Sequence, residues 1–180
     1  KEEKITYSNW WFKKVPDIKN KFVLSFVGSL SNAFDFDLIK ELSSKYEIYN
    51  KEVFFIICGE GDEKDRINNL FRNSKNVFLP GSINTKQIYS LMQETSATIA
   101  PYINSPNFID NLPNKILDSL YYSKPIISSL EGEVKNLILN YEVGCFCSNN
   151  YLSWFDSINK LVENTDYYKK ISKNAKDLYK

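Results

Sequence analysis

From Lys21 onward the chain repeats one unit, a short apolar run followed by a longer amphipathic stretch. Phe22–Val27 and Val53–Cys58 contain no charged residue, and each run ends at a glycine, Gly28 or Gly59. Between them Phe36, Ile39, Leu42 and Tyr46 recur at the spacing of one helix face. The same alternation predicts further strands over 77–79, 97–100, 125–128 and 144–147. It predicts helices over 35–49, 62–71, 84–94, 114–122, 131–140, 151–163 and 166–179. Strands without polar alternation are buried on both faces, which implies a parallel sheet covered by helices on each side. Right-handed crossovers then give a Rossmann-like, three-layer α/β/α sandwich. Ligands of such sheets bind beyond the carboxyl ends of the strands. The loops over 28–34, 59–61, 80–83, 102–113 and 128–131 are therefore where function is expected.

Bulk properties set limits on that function. At 180 residues and 43% hydrophobic content, residues 21–180 suffice for one domain with a real core. Lys and Arg number 23 against 22 Asp and Glu, without the basic excess of a general nucleic-acid binder. The absence of histidine removes Ser-His and Cys-His nucleophile pairs and His-ligated zinc. Cys58, Cys145 and Cys147 are odd in number and form no C-x-x-C pair, the pattern of reduced cysteines in a cytosolic protein. Neither a signal peptide nor an apolar run long enough to span a membrane is present.

Residues 1–20 show no clear period. They open on charge, carry Trp10-Trp11-Phe12 and lack an initiator Met, as expected of an interdomain linker or the start of a fragment. The aromatic residues then pack on the domain, form an interface to a further domain, or are incidental at a boundary.

Among the loops, the string Asp110-Asn111-Leu112-Pro113-Asn114-Lys115-Ile116-Leu117-Asp118 is the most informative. Pro113 and Asn114 read as a helix start, where free N–H groups and the macrodipole attract an anion. Asp110 lies in the loop before it and Asp118 further into the helix; side chains leaning toward the N-terminus can bring both to the space in front. Lys115 is unfavourable in a first turn unless an anion is present. Such a site suits a phosphorylated ligand with hydroxyls for carboxylates to read, as in a nucleotide sugar. An ordinary helix with a Lys115–Asp118 ion pair and a solvated Asp110 fits the spacing equally well.

Other candidates are weaker. Gly28 and Ser29 after the first strand allow close approach of a ligand to backbone and a hydroxyl contact, or simply form a turn. Gly59-Glu60-Gly61 carries the same ambiguity. Asp35-Phe36-Asp37 matches the D-x-D of some metal-dependent transferases, but its place at a helix start favours capping.

These strings together resemble a known family. From Lys21 to near its end the chain resembles the C-terminal, donor-binding domain of the group 1 retaining glycosyltransferases of the GT-B fold. That family carries two glutamates at the spacing of Asp110 and Asp118, around a Pro-Asn, followed by a string similar to Lys124-Pro125-Ile126-Ile127. Phe26-Val27-Gly28-Ser29-Leu30, Ile56-Ile57-Cys58-Gly59-Glu60-Gly61 and Val77-Phe78-Leu79-Pro80-Gly81 resemble further motifs of the family, in the same order.

The resemblance implies roles by position. Asp110 faces the hydroxyls of the transferred sugar and Asp118 those of the ribose. Backbone groups of Leu112, Pro113, Asn114 and Lys115 meet the sugar and diphosphate, beside Gly28 and Ser29. Gly59 belongs to the same binding face, and Gly81 and Ile83 line the base pocket. It implies no cofactor and no metal, with the nucleotide sugar as substrate, and hexosyl transfer in bacterial surface polysaccharide or lipopolysaccharide assembly. The expected partners are the donor and an N-terminal acceptor domain. The expected location is cytoplasmic, with peripheral contact of the full enzyme at the inner face of the plasma membrane. A lone C-terminal half is expected to have little or no transferase activity.

Three departures stand out. Both glutamates are aspartates, residues 29–38 contain no Lys or Arg where the family supplies basic residues, and the acceptor half is not in this sequence. Lys115 is the candidate for the missing charge. The alternative function is a non-catalytic, nucleotide-binding regulatory module. A sugar-nucleotide epimerase of similar architecture relies on histidine, which is absent.

Overall fold

The apolar runs pair edge to edge as their lack of charge requires. The computed structural model describes residues 10–49, 51–104 and 106–179. Among these, β1 (Phe22–Val27), β2 (Val53–Cys58), β3 (Val77–Gly81), β4 (Ala97–Ala100), β5 (Ile126–Ser128) and β6 (Gly144–Phe146) form one parallel sheet. Its order is β3-β2-β1-β4-β5-β6. The connecting helices are α1 (Phe36–Ile48), α2 (Lys64–Phe71), α3 (Thr85–Glu94), the single turn α4 (Pro106–Ile109), α5 (Asn114–Tyr121) and α6 (Glu133–Tyr141). Two longer helices, α7 (Tyr151–Glu163) and α8 (Thr165–Leu178), close the chain.

Helix starts follow local chemistry. Asp35 accepts the Leu38 N–H at 2.9 Å and caps α1. Asn84 and Gln87 form a reciprocal capping box on α3, and Asn150 and Asn164 cap α7 and α8. The predicted elements therefore recur within a residue or two at most ends. The turn α4, inside the loop expected over 102–113, is too short to show a period.

The strands divide their side chains between two cores. In β2, Val53, Phe55 and Ile57 enter the larger cluster, whereas Phe54, Ile56 and Cys58 face a smaller one. That smaller cluster is closed by Trp11, Val15, Ile18 and Leu91. Of the segment expected as a linker, residues 1–9 lie outside the described residues, and the remainder packs on the sheet. Residues 10–14 are helical and Pro16–Asn20 is a 3-10 turn. Trp11 is fully buried, and its Nε1 donates to Ser90 Oγ on α3 at 2.9 Å. The aromatic cluster thus packs on the domain at Trp11.

Candidate functional site

The strand order reverses between β1 and β4, because the chain leaves β1 toward β2 and β4 toward β5. Such a switch point opens a crevice at the carboxyl ends of the two strands. On one side, three turns are laced together. Gly28 N–H donates to Cys58 O at 3.0 Å, Gly59 N–H to Gly81 O at 3.0 Å, and Leu30 N–H to Glu60 O at 2.8 Å. A Cβ on Gly59 would lie 1.8 Å from Gly28 O, so only glycine permits this approach. On the other side, Asp35 N–H donates to Pro101 O at 2.8 Å and Ile103 N–H to Ala33 O at 2.9 Å. Phe34 and Tyr102 are thereby bridged.

Helix α5 points its N-terminus into this region. Pro113 occupies the cap position without a side-chain hydrogen bond, and the first N–H groups of a helix lack intrahelical partners. Lys115 leans back toward that end. Its Nζ lies 4.0 Å from the Phe26 ring centre, 3.7 Å from that of Phe34 and 5.6 Å from that of Tyr102. The amine is buried and has no hydrogen-bond partner among the described residues. The Lys115–Asp118 ion pair that the spacing allows is therefore not formed. The acid sits one turn further along the helix while the lysine extends the other way.

Two effects act on this amine. Burial pushes it down from the ordinary 10.5 to about 7. The ring faces favour the ammonium, by about 2 kcal/mol when desolvated. A fall from 10.5 to about 7 corresponds to roughly 5 kcal/mol, so desolvation wins. Burial also raises the Tyr102 hydroxyl to about 12, which leaves it neutral. The amine reaches Gly28 as well: a Cβ there would lie 2.8 Å from Nζ. Lys115 thus ends against the backbone of the Gly28–Ser29 turn.

A small cavity of about 40 Å³ lies alongside, lined in part by Ser25, Thr98, Lys115, Asp118 and Ser119. Thr98 Oγ1 donates to Ser119 Oγ at 2.7 Å, and Ser119 Oγ to Lys115 O at 2.6 Å. The volume and the hydroxyls suit ordered water. Ser25 and Thr98 interrupt the otherwise apolar runs of β1 and β4, a signal in the sequence that marks this polar-lined cavity. A larger recess of about 400 Å³ lies at the ends of β2 and β3, lined in part by Leu30, Gly59, Glu60, Pro80, Gly81 and Ser82. There Glu60 pairs with Lys64 at 2.7 Å and accepts the Ser82 N–H at 3.3 Å. The hydrogen bond from Lys64 holds its carboxyl below the usual range.

The predicted residues fall into groups. Lys115 ends against Gly28 near the switch point, Lys115 and Asp118 line the small cavity beside it, and Gly59 and Gly81 line the recess. Ser29, Asn114, Asp110 and Asp118 are exposed, Pro113 is half-buried and Leu112 is 39% exposed. Asp110 follows α4, whose Ile109 carbonyl would lie 2.0 Å from a Cβ on Gly132, so its loop rests on the loop after β5. Ile83 packs against the Trp11 cluster. Asp35 caps α1 and Asp37 pairs with Arg66 at 2.9 Å, so the D-x-D carboxylates are engaged within the fold. The ring cage of Phe26, Phe34 and Tyr102 was not legible in the sequence. It depends on two loops, far apart in the chain, being stitched together.

The strand order and the crevice at its reversal define a Rossmann-like α/β domain of nucleotide-binding architecture. The sequence pattern of the family described as Glycosyl transferases group 1 matches residues 9–178, and the chain belongs to that family. A comparison with curated protein sequences gives no match. Among solved structures, HepE from Anabaena, in complex with UDP and glucose, superposes with a TM-score of 0.79 at 16% identity. The match covers 97% of this chain and 47% of HepE. WaaG, a glycosyltransferase involved in lipopolysaccharide biosynthesis, gives 0.77 at 14% identity, over 96% of this chain and 46% of WaaG. TarM from S. aureus, in complex with fondaparinux, alpha-GlcNAc-glycerol and UDP, gives 0.72 at 18% identity, over 87% of this chain and 31% of TarM. The chain spans less than half the length of each of these. At such identities the likeness is one of fold, that of a GT-B glycosyltransferase domain.

Proposed function

We propose that this chain is the donor-binding domain of a retaining glycosyltransferase that takes a hexose from a nucleoside diphosphate sugar. The observation that carries this reading is the convergence, at the β1/β4 switch point, of the Gly28 turn, the uncapped start of α5 and the Lys115 amine. All three favour anionic ligand groups. Asp118, on the adjoining cavity, then takes the ribose hydroxyls, and Asp110 reads the sugar. The recess between β2 and β3 receives the base beside Pro80–Gly81. Stabilising the departing diphosphate is the catalytic contribution of this half, without a metal ion. The acceptor and its base belong to an N-terminal domain of the same enzyme. That HepE was crystallised with UDP and glucose supports the donor class, and that WaaG is involved in lipopolysaccharide biosynthesis supports a role in bacterial surface polysaccharide assembly.

Calorimetry and ligand-observed NMR with UDP-, GDP- and ADP-sugars test the assignment, with Asp118→Ala as control. Binding of one donor, weakened in the control, is the expected result. If none binds at millimolar concentration, the donor-site reading fails and the alternative of a regulatory module gains. Turnover by this chain alone contradicts the need for an acceptor half.

A further inference from the structure

The Lys115 amine is an anomaly within its surroundings. Among the described residues it has no hydrogen-bond partner. Phe26 and Gly28 face it from β1 and the turn that follows, Phe34 from the next loop, and Tyr102 from the loop after β4. Helix α3 adds Ile88 and Met92 to the shared cavity, and α5 adds Asp118. None of these places a carboxylate within hydrogen-bonding reach of the amine. A purely structural side chain at this position gains nothing from ending in an amine, since an aliphatic chain fills the same cage without losing hydration. The amine ends against the backbone turn at Gly28, and residues 29–38 bring no cation of their own.

We infer that Lys115 supplies the positive charge that meets the donor's diphosphate, and that its amine takes a proton from solvent as the ligand binds. This rests on the reading of the crevice as a nucleoside diphosphate site. Burial lowers the amine to about 7, so above that pH the cage holds it uncharged. A bound diphosphate supplies the missing counter-charge and reverses that preference. The proton balance is simple: one solvent proton is added to the amine on binding and returned on release. Ligand affinity therefore falls as pH rises above the amine's value in the empty domain.

The test is calorimetry on the 180-residue chain with UDP-glucose, GDP-mannose and ADP-glucose, whose diesterified diphosphates do not titrate near neutrality. Each titration is run at pH 8 in HEPES and in Tris, whose ionisation enthalpies differ. Uptake of about one proton per ligand bound is expected at pH 8, and clearly less at pH 6. Lys115→Met abolishes the uptake and weakens the sugar nucleotide by about tenfold or more, with the bare nucleoside unaffected. Binding without proton exchange, or equal affinity in wild type and Lys115→Met, overturns the inference while leaving the donor-site reading intact. Failure of all three sugar nucleotides to bind overturns both.

Discussion

Replacing Lys115 by Met removes the amine but keeps an unbranched chain of similar size within the ring cage. In the folded chain the amine lies below its ordinary value, at about 7 against 10.5. Between those values the unfolded chain holds the proton more firmly than the folded one, so wild-type stability rises with pH across that window. The full shift from 10.5 to about 7 costs the fold roughly 5 kcal/mol once pH falls below both values. Lys115→Met is therefore expected to raise stability near pH 7 by about 4 kcal/mol, or roughly 10–15 °C in melting temperature. From pH 7 to 9 the wild type gains roughly 2 kcal/mol from this group alone, and the variant lacks that gain. Urea unfolding followed by the fluorescence of buried Trp11 and Trp154 at both pH values reads the effect directly. A variant less stable than wild type, or one with the same pH dependence, refutes the reasoning and makes the caged ammonium a stabilising element. The expected result is stability given up for function at a ligand site.

Further outcomes follow from particular contacts. Asp118→Ala weakens a nucleoside and its sugar nucleotide together by about tenfold or more, the loss of charge-assisted hydrogen bonds to ribose. Asp110→Asn weakens only the sugar nucleotide, and titration against both ligands separates the two cases. Trp11→Ala, at a fully buried site bonded to Ser90, destabilises by about 3–5 kcal/mol, read by urea unfolding. A near-neutral result makes residues 10–20 dispensable to the domain. Gly59→Ala places a methyl 1.8 Å from Gly28 O and lowers stability by about 3 kcal/mol or more. An unchanged melting temperature contradicts the close approach of the two turns.

The strands were legible because Phe22–Val27 and Val53–Cys58 contain no charge and end at glycines, a pattern that few other structures accommodate. The helix starts at Asp35, Asn84, Asn150 and Asn164 were equally local, since a cap needs only the next three residues. The burial of Trp11 was not legible. Its short helical stretch shows no period, and its partners Ser90 and Leu91 come from α3, more than seventy residues away. The Lys115–Asp118 spacing allowed an ion pair, and only the direction taken by the lysine chain decided against it.

The sequence by itself determined the order of strands and helices, the parallel sheet and the segment Asp110–Asp118 as the place of interest. Periodicity, caps and glycine positions are properties of neighbouring residues and are written in the chain. The tertiary structure alone decided which loops touch. It set the Gly59 backbone against Gly28, bridged Phe34 to Tyr102, and closed Phe26 and both of those rings around an amine from α5. The charge state of that amine depends on the water excluded by three segments distant in sequence, a quantity that exists only once they have packed.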